Sequence, residues 1–398
     1  MSDKPTNLVR GIPFPSSTSR PVVTALQPSV VYSSPSPDAL DDQYEGRAKG
    51  YTYAREGHPN ADVLAQKIDQ LEGVEGGIIT SSGMSAITAA LLGLLSAGDH
   101  IIAGDQLYGR SLRMMREELP KFGITTSFVD PTDGAALKAA VTDATKMMVL
   151  EVVSNPTLRV ADMEVAAEVC SKNGILLAVD NTFTTPKAYQ PFKHGADIVI
   201  HSVTKLLAGH SDATLGYVVA KDPAKMKQIY DTSVTMGFTP SPFDCWLAER
   251  GIYSFDLRYD RCQTTSEKLA QALSEHPQVE KVLYPTRRDH PDHNRAKALL
   301  GGQGSHIVSF QLKTNGRAAR DVSNAFVQAA NTIAFAPTLG DIGTTLSHPA
   351  SSSHRALSVE ARAALGMEET FFRLSVGIED ADSLIETLTS AISAAFPE

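Results

Sequence analysis

The sequence has little of what marks disulfide-stabilised, metal-binding or membrane proteins. Its 398 residues include three cysteines, which are widely spaced and form no CxxC pair or Cys/His cluster. We therefore expect reduced, buried thiols and no metal site. No apolar run is long enough for a membrane span, because Gly and Asp interrupt AITAALLGLLSAGDHII. The start, MSDKPTNLVRG, lacks the apolar core of a signal peptide, so we expect a cytoplasmic protein. The cysteines are Cys170, Cys245 and Cys262.

The charge balance gives no sign of a polyanionic partner. The chain has 36 basic and 45 acidic residues, for a net charge of -9, which argues against nucleic acid as the main partner. Its apolar content of 42% allows a large core divided over more than one domain.

Three regions differ in pattern. Residues 1–60 are rich in Pro, Ser and Gly, and SSPSPDALDDQYEG predicts a loop within an extended arm that packs against another part of the structure. Residues 61–255 alternate apolar strands with helices, which predicts an α/β domain with a mostly parallel sheet. Residues 256–398 contain the helix SEKLAQALSEH, the strand HIVSFQL and a helix over DADSLIETLTSAISAAF, which predict a smaller α+β domain.

Three sequence segments whose residues could bind or react with a ligand follow predicted strands of the α/β domain. Sheets of this class bind ligands at the ends of these strands. SSGMSA opens a helix with small residues, so its backbone N–H groups can approach a phosphate, although alone it reads as a tight turn. Asp180 ends the strand ILLAV and could pair with a ring nitrogen, or cap a helix or form a core ion pair. Lys205, in HSVTKLLAGHSD, could form an imine in a partly desolvated site, whereas the simpler alternative is a surface lysine.

Together these pieces supply a phosphate cradle, a carboxylate for a ring nitrogen and an imine-forming lysine. That set is what pyridoxal 5′-phosphate (PLP) requires. The sequence thus predicts a PLP enzyme in which Lys205 carries the cofactor as a Schiff base.

From about Tyr51 to its end, the chain resembles the Cys/Met-metabolism family of PLP enzymes. That family includes cystathionine γ-synthase, cystathionine lyases, methionine γ-lyase and homoserine-ester sulfhydrylases. The resemblance implies PLP fold type I, like that of aspartate aminotransferase, and a homotetramer built from two catalytic dimers. It rests on YTYAREGHPN, SSGMSA, GDQLYGRS, SNPTLRVAD, VDNTFTTP, HSVTKLLAGHSD, FDCWLAERG, LGDIGTTLSHPASSSH and FFRLSVGIED.

The resemblance also assigns roles to individual residues. Lys205 is implied to be the Schiff-base lysine and proton shuttle, Tyr108 to stack on the ring and exchange a proton, and Arg373 to bind the substrate α-carboxylate. Asp180 is implied to hold the ring nitrogen and Asn155 the phenolic oxygen. The phosphate is implied to be bound by Gly83, Met84, Ser202 and Thr204, and from the neighbouring subunit by Tyr53 and Arg55.

Several positions depart from the family pattern and bear on the substrate. Arg110 stands where methionine γ-lyases have Cys. Gly343 stands where many lyases carry Glu, and Thr338 where Ser is usual. Arg113 matches an arginine that cystathionine-processing members use on the distal carboxylate of the substrate, but alone it could be a solvated helix residue. His58, in GHPN, is either a loop histidine or part of the inter-subunit phosphate site.

We therefore predict a γ-lyase that acts on an L-2-aminobutyrate with a bulky S- or O-linked γ-substituent, by Schiff-base γ-elimination. The substituent could be that of cystathionine, a homoserine ester or canavanine. The alternatives are γ-replacement, as in an O-acetyl- or O-succinylhomoserine sulfhydrylase or cystathionine γ-synthase, and a methionine γ-lyase. A non-catalytic PLP-binding regulator would need an appended DNA-binding module, which the sequence does not contain.

Overall fold

The computed structural model describes residues 17–355 and 357–396. Residues 1–16 of the predicted arm lie outside this range. In the described part, no helix combines the length and apolar character that crossing a membrane requires.

A seven-stranded sheet forms the centre of the fold, in the order β1-β7-β6-β5-β4-β2-β3. Neighbouring strands from β3 to β6 run parallel, whereas β7 is antiparallel to both β6 and β1. The central strands read as continuous apolar runs because helices cover both faces of the sheet. The strands are β1 (Ile78–Thr80), β2 (His100–Gly104), β3 (Thr125–Val129), β4 (Thr145–Glu151), β5 (Leu176–Asp180), β6 (Ile198–His201) and β7 (Gly216–Ala220).

A five-stranded sheet follows, in the order β10-β11-β12-β9-β8. Phe310 and Phe372 stack on this sheet and Phe326 packs edge-on against both, with ring centroids 4.9–5.8 Å apart. An apolar cluster also links the two sheets, because Leu177 and Val179 of β5 share it with Ile307 and Phe371. The strands are β8 (Val279–Leu283), β9 (Ile307–Leu312), β10 (Ala334–Phe335), β11 (Thr345–Ser347) and β12 (Phe371–Ser375).

The α-helices of the described chain mostly begin at a polar side chain that caps the first turn. A π-helical turn (Met114–Glu118) and 3₁₀ turns (Leu119–Phe122, Pro191–His194 and Pro349–Ser351) complete the regular structure. The α-helices are α1 (Pro37–Tyr44), α2 (Pro59–Glu72), α3 (Gly83–Leu94), α4 (Gly109–Arg113), α5 (Gly134–Ala139), α6 (Met163–Asn173), α7 (Thr185–Ala188), α8 (Pro223–Thr235), α9 (Pro242–Ile252), α10 (Phe255–Glu275), α11 (His293–Leu299), α12 (Ala319–Ala329), α13 (Val359–Ala364) and α14 (Ala381–Ala394).

The prediction of loop over SSPSPDALDDQYEG is wrong, because this stretch contains α1. Ser36 caps the helix by accepting a hydrogen bond from the Ala39 N–H at 3.1 Å, and Pro37 occupies the first helical position. Both features favour a helix start, but α1 buries no side chain and so has no apolar stripe. The predicted α/β class and mostly parallel sheet are confirmed by the observed topology.

Candidate active site

The first helix after β1 begins at the carboxyl edge of the sheet and leaves backbone donors free. Ser82 caps α3 by accepting from the Ser85 N–H at 3.1 Å, while the N–H groups of the first turn have no acceptor within the helix. A Cβ at Gly83 would lie 2.7 Å from Ser202 Cβ, so only glycine lets the start of α3 lie against the residues that follow β6. The result is a concave cradle that suits a phosphate.

Asp180 ends β5 beside this cradle. Its Oδ1 accepts a hydrogen bond from the Thr182 N–H at 3.0 Å. Burial raises the pKa of Asp180, whereas hydrogen bonds from Thr182 and the charge of His201 lower it. A half-buried carboxylate of this kind is stabilised by a cationic partner, and the protonated ring nitrogen of PLP is such a partner.

Lys205 projects its amine into the same space. Its Nζ donates to the Thr338 hydroxyl at 3.3 Å. Burial lowers the pKa of Lys205, and the nearby charge of Arg373 lowers it further, which favours the neutral amine needed for imine formation. The turn before it is fixed by Thr204, whose hydroxyl accepts from the Leu215 N–H at 2.9 Å.

Arg373 reaches the cavity from β12 of the second sheet. Its guanidinium donates to Asn155 Oδ1 at 2.6 Å and to the Thr338 carbonyl at 2.5 Å. Burial lowers the pKa of Arg373 to about 10, so the side chain is still a cation at neutral pH. Asn155, predicted to bond the phenolic oxygen of the cofactor, is thus also the neighbour that orients this arginine.

Tyr108 stands at the mouth of the cavity, 44% exposed, and depends on a residue that the sequence analysis missed. The Tyr108 backbone N–H donates to Glu151 Oε1 at 2.8 Å. Burial and the neighbouring Asp180 raise the pKa of Glu151 well above its ordinary value. The sequence did contain a signal for Glu151, which is a charged residue at the end of the apolar strand β4. In the structure Glu151 pairs in register with Asp180.

One cavity of about 250 Å³ joins these groups. Further lining residues were given no role from the sequence. Ser347, Ser352, Ser353 and Phe183 lie within the quoted segments LGDIGTTLSHPASSSH and VDNTFTTP, whereas Thr214 lies outside them. The predicted residues that line the cavity are Gly83, Met84, Tyr108, Asn155, Asp180, Ser202, Thr204, Lys205, Thr338 and Arg373.

Two predicted residues lie on a separate groove. Tyr53 and Arg55 line it together with Leu26, Val30 and Phe243, and the Arg55 guanidinium lies 5.4 Å from the centre of the Tyr53 ring. Their predicted role in a neighbouring subunit stays a prediction.

The remaining positions predicted to contact substrate are outside the described cavity lining. Arg110 is exposed, and Arg113 forms an exposed ion pair with Glu117 at 2.8 Å. The Gly343 N–H donates to Asp341 at 2.8 Å. His58 is fully buried and caps α2 by accepting a hydrogen bond from the Ala61 N–H at 3.1 Å.

Comparison with known proteins places these features in a family. Residues 6–393 match the model of the Cys/Met metabolism PLP-dependent enzymes. The chain belongs to this family. It is 38% identical to a cystathionine beta-lyase of Bacillus subtilis over 347 residues, which is 87% of each chain.

Solved structures agree with this assignment. The fold matches a cystathionine gamma synthase from Xanthomonas oryzae pv. oryzae with a TM-score of 0.87 and 35% identity, covering 94% of this chain and 93% of that one. It also matches a putative O-acetylhomoserine (thiol)-lyase from Campylobacter jejuni with a TM-score of 0.90 and 27% identity, covering 96% of this chain and 97% of that one. The latter was solved with N′-pyridoxyl-lysine-5′-monophosphate. The protein is therefore a PLP-dependent enzyme of PLP fold type I whose substrate is an amino acid, as the sequence predicts.

Proposed function

We propose that the protein is a γ-lyase for an L-2-aminobutyrate with an S- or O-linked γ-substituent. The observation that carries this proposal is the position of the Lys205 amine. It is half-buried, 3.3 Å from the Thr338 hydroxyl, in one cavity with Asp180 and Arg373. A mobile base and a carboxylate-binding guanidinium thereby line the same cavity, and both contact Thr338.

Each residue has a task that follows from its contacts. Arg373 binds the substrate α-carboxylate with its planar guanidinium, and Asn155 and the Thr338 carbonyl hold that plane in place. Lys205 takes and returns protons at Cα and Cβ, and the Thr338 hydroxyl orients its amine. Tyr108, held by Glu151, covers the cavity mouth and exchanges a proton with the leaving γ-group. PLP, when bound, supplies the electron sink that acidifies these carbon-bound hydrogens.

The lining of the cavity bears on the choice of γ-substituent. Among the described lining residues, the cations are Lys205 and Arg373, and hydroxyls of Ser347, Ser352 and Ser353 form part of the wall. Arg113, the candidate for a second carboxylate, is paired with Glu117 instead. This arrangement favours γ-substituents without a carboxylate, such as those of O-acetylhomoserine, methionine or canavanine, over those of cystathionine and O-succinylhomoserine.

The assembly and the location are part of the proposal. We propose a cytoplasmic homotetramer of two catalytic dimers, in which Tyr53 and Arg55 complete the phosphate site of the neighbouring subunit. Their exposed groove, lined by Leu26, Val30 and Phe243, supports a contact with another chain. Mixed tetramers of Arg55→Ala and Lys205→Ala chains should regain part of the activity that each variant lacks, and no recovery would contradict a shared site.

The decisive assay measures 2-oxo acid and ammonia released from the six candidate amino acids, with and without an added thiol. The candidates are methionine, cystathionine, homocysteine, O-acetylhomoserine, O-succinylhomoserine and canavanine. Release without thiol supports the γ-lyase, whereas turnover only with thiol would move the assignment to γ-replacement.

The matched variant for this assay is Arg113→Ala. It should leave the order of substrates unchanged, because Arg113 does not line the cavity. A selective loss of activity on cystathionine and O-succinylhomoserine would show instead that Arg113 binds a distal carboxylate.

A further inference from the structure

The turn that carries Lys205 depends on donors from another part of the chain. This lysine turn, residues 202–209, directly follows β6, and the Gly209 N–H closes it by donating to the Lys205 carbonyl at 2.8 Å. The next two carbonyls, those of Leu206 and Leu207, accept hydrogen bonds from a side chain of α10 instead. The C-terminal end of the lysine turn is therefore stabilised from outside.

Arg258 supplies these donors from α10 and is 3% exposed. Its Nη1 donates to the Leu206 carbonyl at 2.7 Å, and its Nη2 donates to the carbonyls of Leu207 at 3.1 Å and Gly251 at 2.9 Å. Its Nε donates to the Ser254 hydroxyl at 3.1 Å. Each of these acceptors is an uncharged oxygen, so the guanidinium uses most of its N–H donors on neutral groups.

The partners of Arg258 differ from those of a core ion pair. A buried cation is costly unless hydrogen bonds and negative charge compensate for the lost water. Carbonyl groups at the end of a helical turn carry partial negative charge, and an arginine there binds them favourably. The desolvation of Arg258 is thus offset in part by the two carbonyls that follow Lys205, which ties the guanidinium to the lysine turn.

Two glycines let α9 and α10 approach the lysine turn this closely. A Cβ at Gly209 would lie 2.0 Å from Arg258 Nη1, and one at Gly251 would lie 2.1 Å from the Ala208 carbonyl oxygen. The Gly209 φ of +77° is also a conformation that glycine adopts readily. The contact between Arg258 and the lysine turn therefore requires that these two positions lack a side chain.

We propose that Arg258 is a positioning residue for Lys205, because it fixes the backbone of the lysine turn so that the Lys205 amine reaches the cavity. The amine end of the side chain is held by the Thr338 hydroxyl at 3.3 Å, whereas Arg258 is outside the described cavity lining. Without the guanidinium, the carbonyls of Leu206 and Leu207 lose these donors and the turn relaxes. The proposal rests on the proposed role of Lys205 as the cofactor lysine.

The test measures how fast the parent chain and Arg258→Met take up PLP at a saturating concentration, after the cofactor has been removed from each purified holoenzyme. In this reaction the Lys205 nitrogen forms a C=N bond to the aldehyde carbon of PLP and the aldehyde oxygen leaves as water, which absorbance follows. Arg258→Met keeps an unbranched apolar stem but has no donor. Because a reacting group displaced by about 1 Å can lose about a hundredfold in rate, we expect the rate constant per folded chain to fall about ten- to hundredfold.

The matched control is Arg287→Met, which removes another guanidinium bound to α10. Arg287 donates to the Ala270 carbonyl at 3.3 Å and to the Ser274 hydroxyl at 2.9 Å, and it pairs with Asp289 at 2.8 Å. None of its described contacts is with the lysine turn. Arg287→Met should therefore lower the thermal midpoint and leave the rate constant of PLP uptake at the parent value.

Each other outcome has a definite meaning. A lower thermal midpoint in Arg258→Met with the parent rate constant per folded chain would overturn the proposal, because Arg258 would then serve stability alone. If Lys205→Ala takes up PLP with the same absorbance change, the proposed role of Lys205 fails first, whatever Arg258→Met does. Should Arg258→Met not fold, Arg258→Lys keeps a cation without the planar fork that bridges the two carbonyls, and the same criterion applies to it.

Discussion

Gly340 is the residue through which the loop carrying Thr338 approaches the backbone of Lys205. Its φ is +77°, and a Cβ there would lie 2.4 Å from the Leu206 nitrogen and 2.9 Å from the Lys205 carbonyl carbon. For Gly340→Ala, the left-handed backbone costs about 1–2 kcal/mol and the overpacking about 1–3 kcal/mol more. We expect the free energy of unfolding to fall by about 2–5 kcal/mol, with kcat reduced because Thr338 no longer meets the Lys205 amine.

The matched control is Gly301→Ala. Gly301 has a φ of +60°, and a Cβ there would have no atom within 4 Å, so only the backbone cost of about 1–2 kcal/mol applies. Urea unfolding of the cofactor-free proteins gives both free energies, and steady-state kinetics gives kcat. Equal losses of stability in the two variants, or an unchanged kcat in Gly340→Ala, would refute the reasoning.

Three other changes test separate parts of the account. Arg373→Lys should raise KM about tenfold and leave the absorbance of bound PLP unchanged, because an ammonium cannot make the bidentate contact; an unchanged KM would exclude Arg373 as the carboxylate ligand. His58→Ala should lower the free energy of unfolding by about 2 kcal/mol, because His58 caps α2 and hydrogen-bonds the Pro240 carbonyl. The kcat/KM per folded chain should be unchanged, and lost activity would assign His58 a role in the site. Burial, followed by the charges of Arg373 and Arg258, lowers the pKa of His306 to about 3. The His306 imidazole therefore stays neutral in the folded protein, whereas in the unfolded chain it takes up a proton below about pH 6.5. Stability is therefore lost as pH falls from 6.5 toward 3, and His306→Gln should flatten this decline by up to about 1.4 kcal/mol per pH unit in urea titrations; parallel curves would contradict the assignment.

The large sheet was predictable because its parallel strands are buried on both faces. Each strand is then a short apolar run between turn residues, and the runs ending at Asp180 and His201 are clear examples. The second sheet was harder to predict from the sequence. Charged residues interrupt the apolar pattern of β8 (VEKVL), and β11 has only three residues. Helix α1 was missed because its cap and proline, rather than an apolar face, determine it.

The site was predictable where chemistry-bearing residues stand at strand ends. Gly83, Asp180 and Lys205 each follow such a strand, and all line one cavity. Glu151 was missed because it reads as the last residue of an apolar strand, and its importance depends on a register partner far along the chain. The positions of Arg110 and Arg113 outside the cavity lining depend on how α4 is oriented, which no local pattern determines.

The central claim is that Lys205 carries PLP in this cavity. Reduction of the purified holoenzyme with borohydride, followed by peptide mass spectrometry, identifies the lysine to which the cofactor is bound. The account predicts a pyridoxyl group on the peptide that contains Lys205, and its absence in Lys205→Ala. A modified peptide around another lysine, or no modified peptide from a PLP-loaded enzyme, would contradict it.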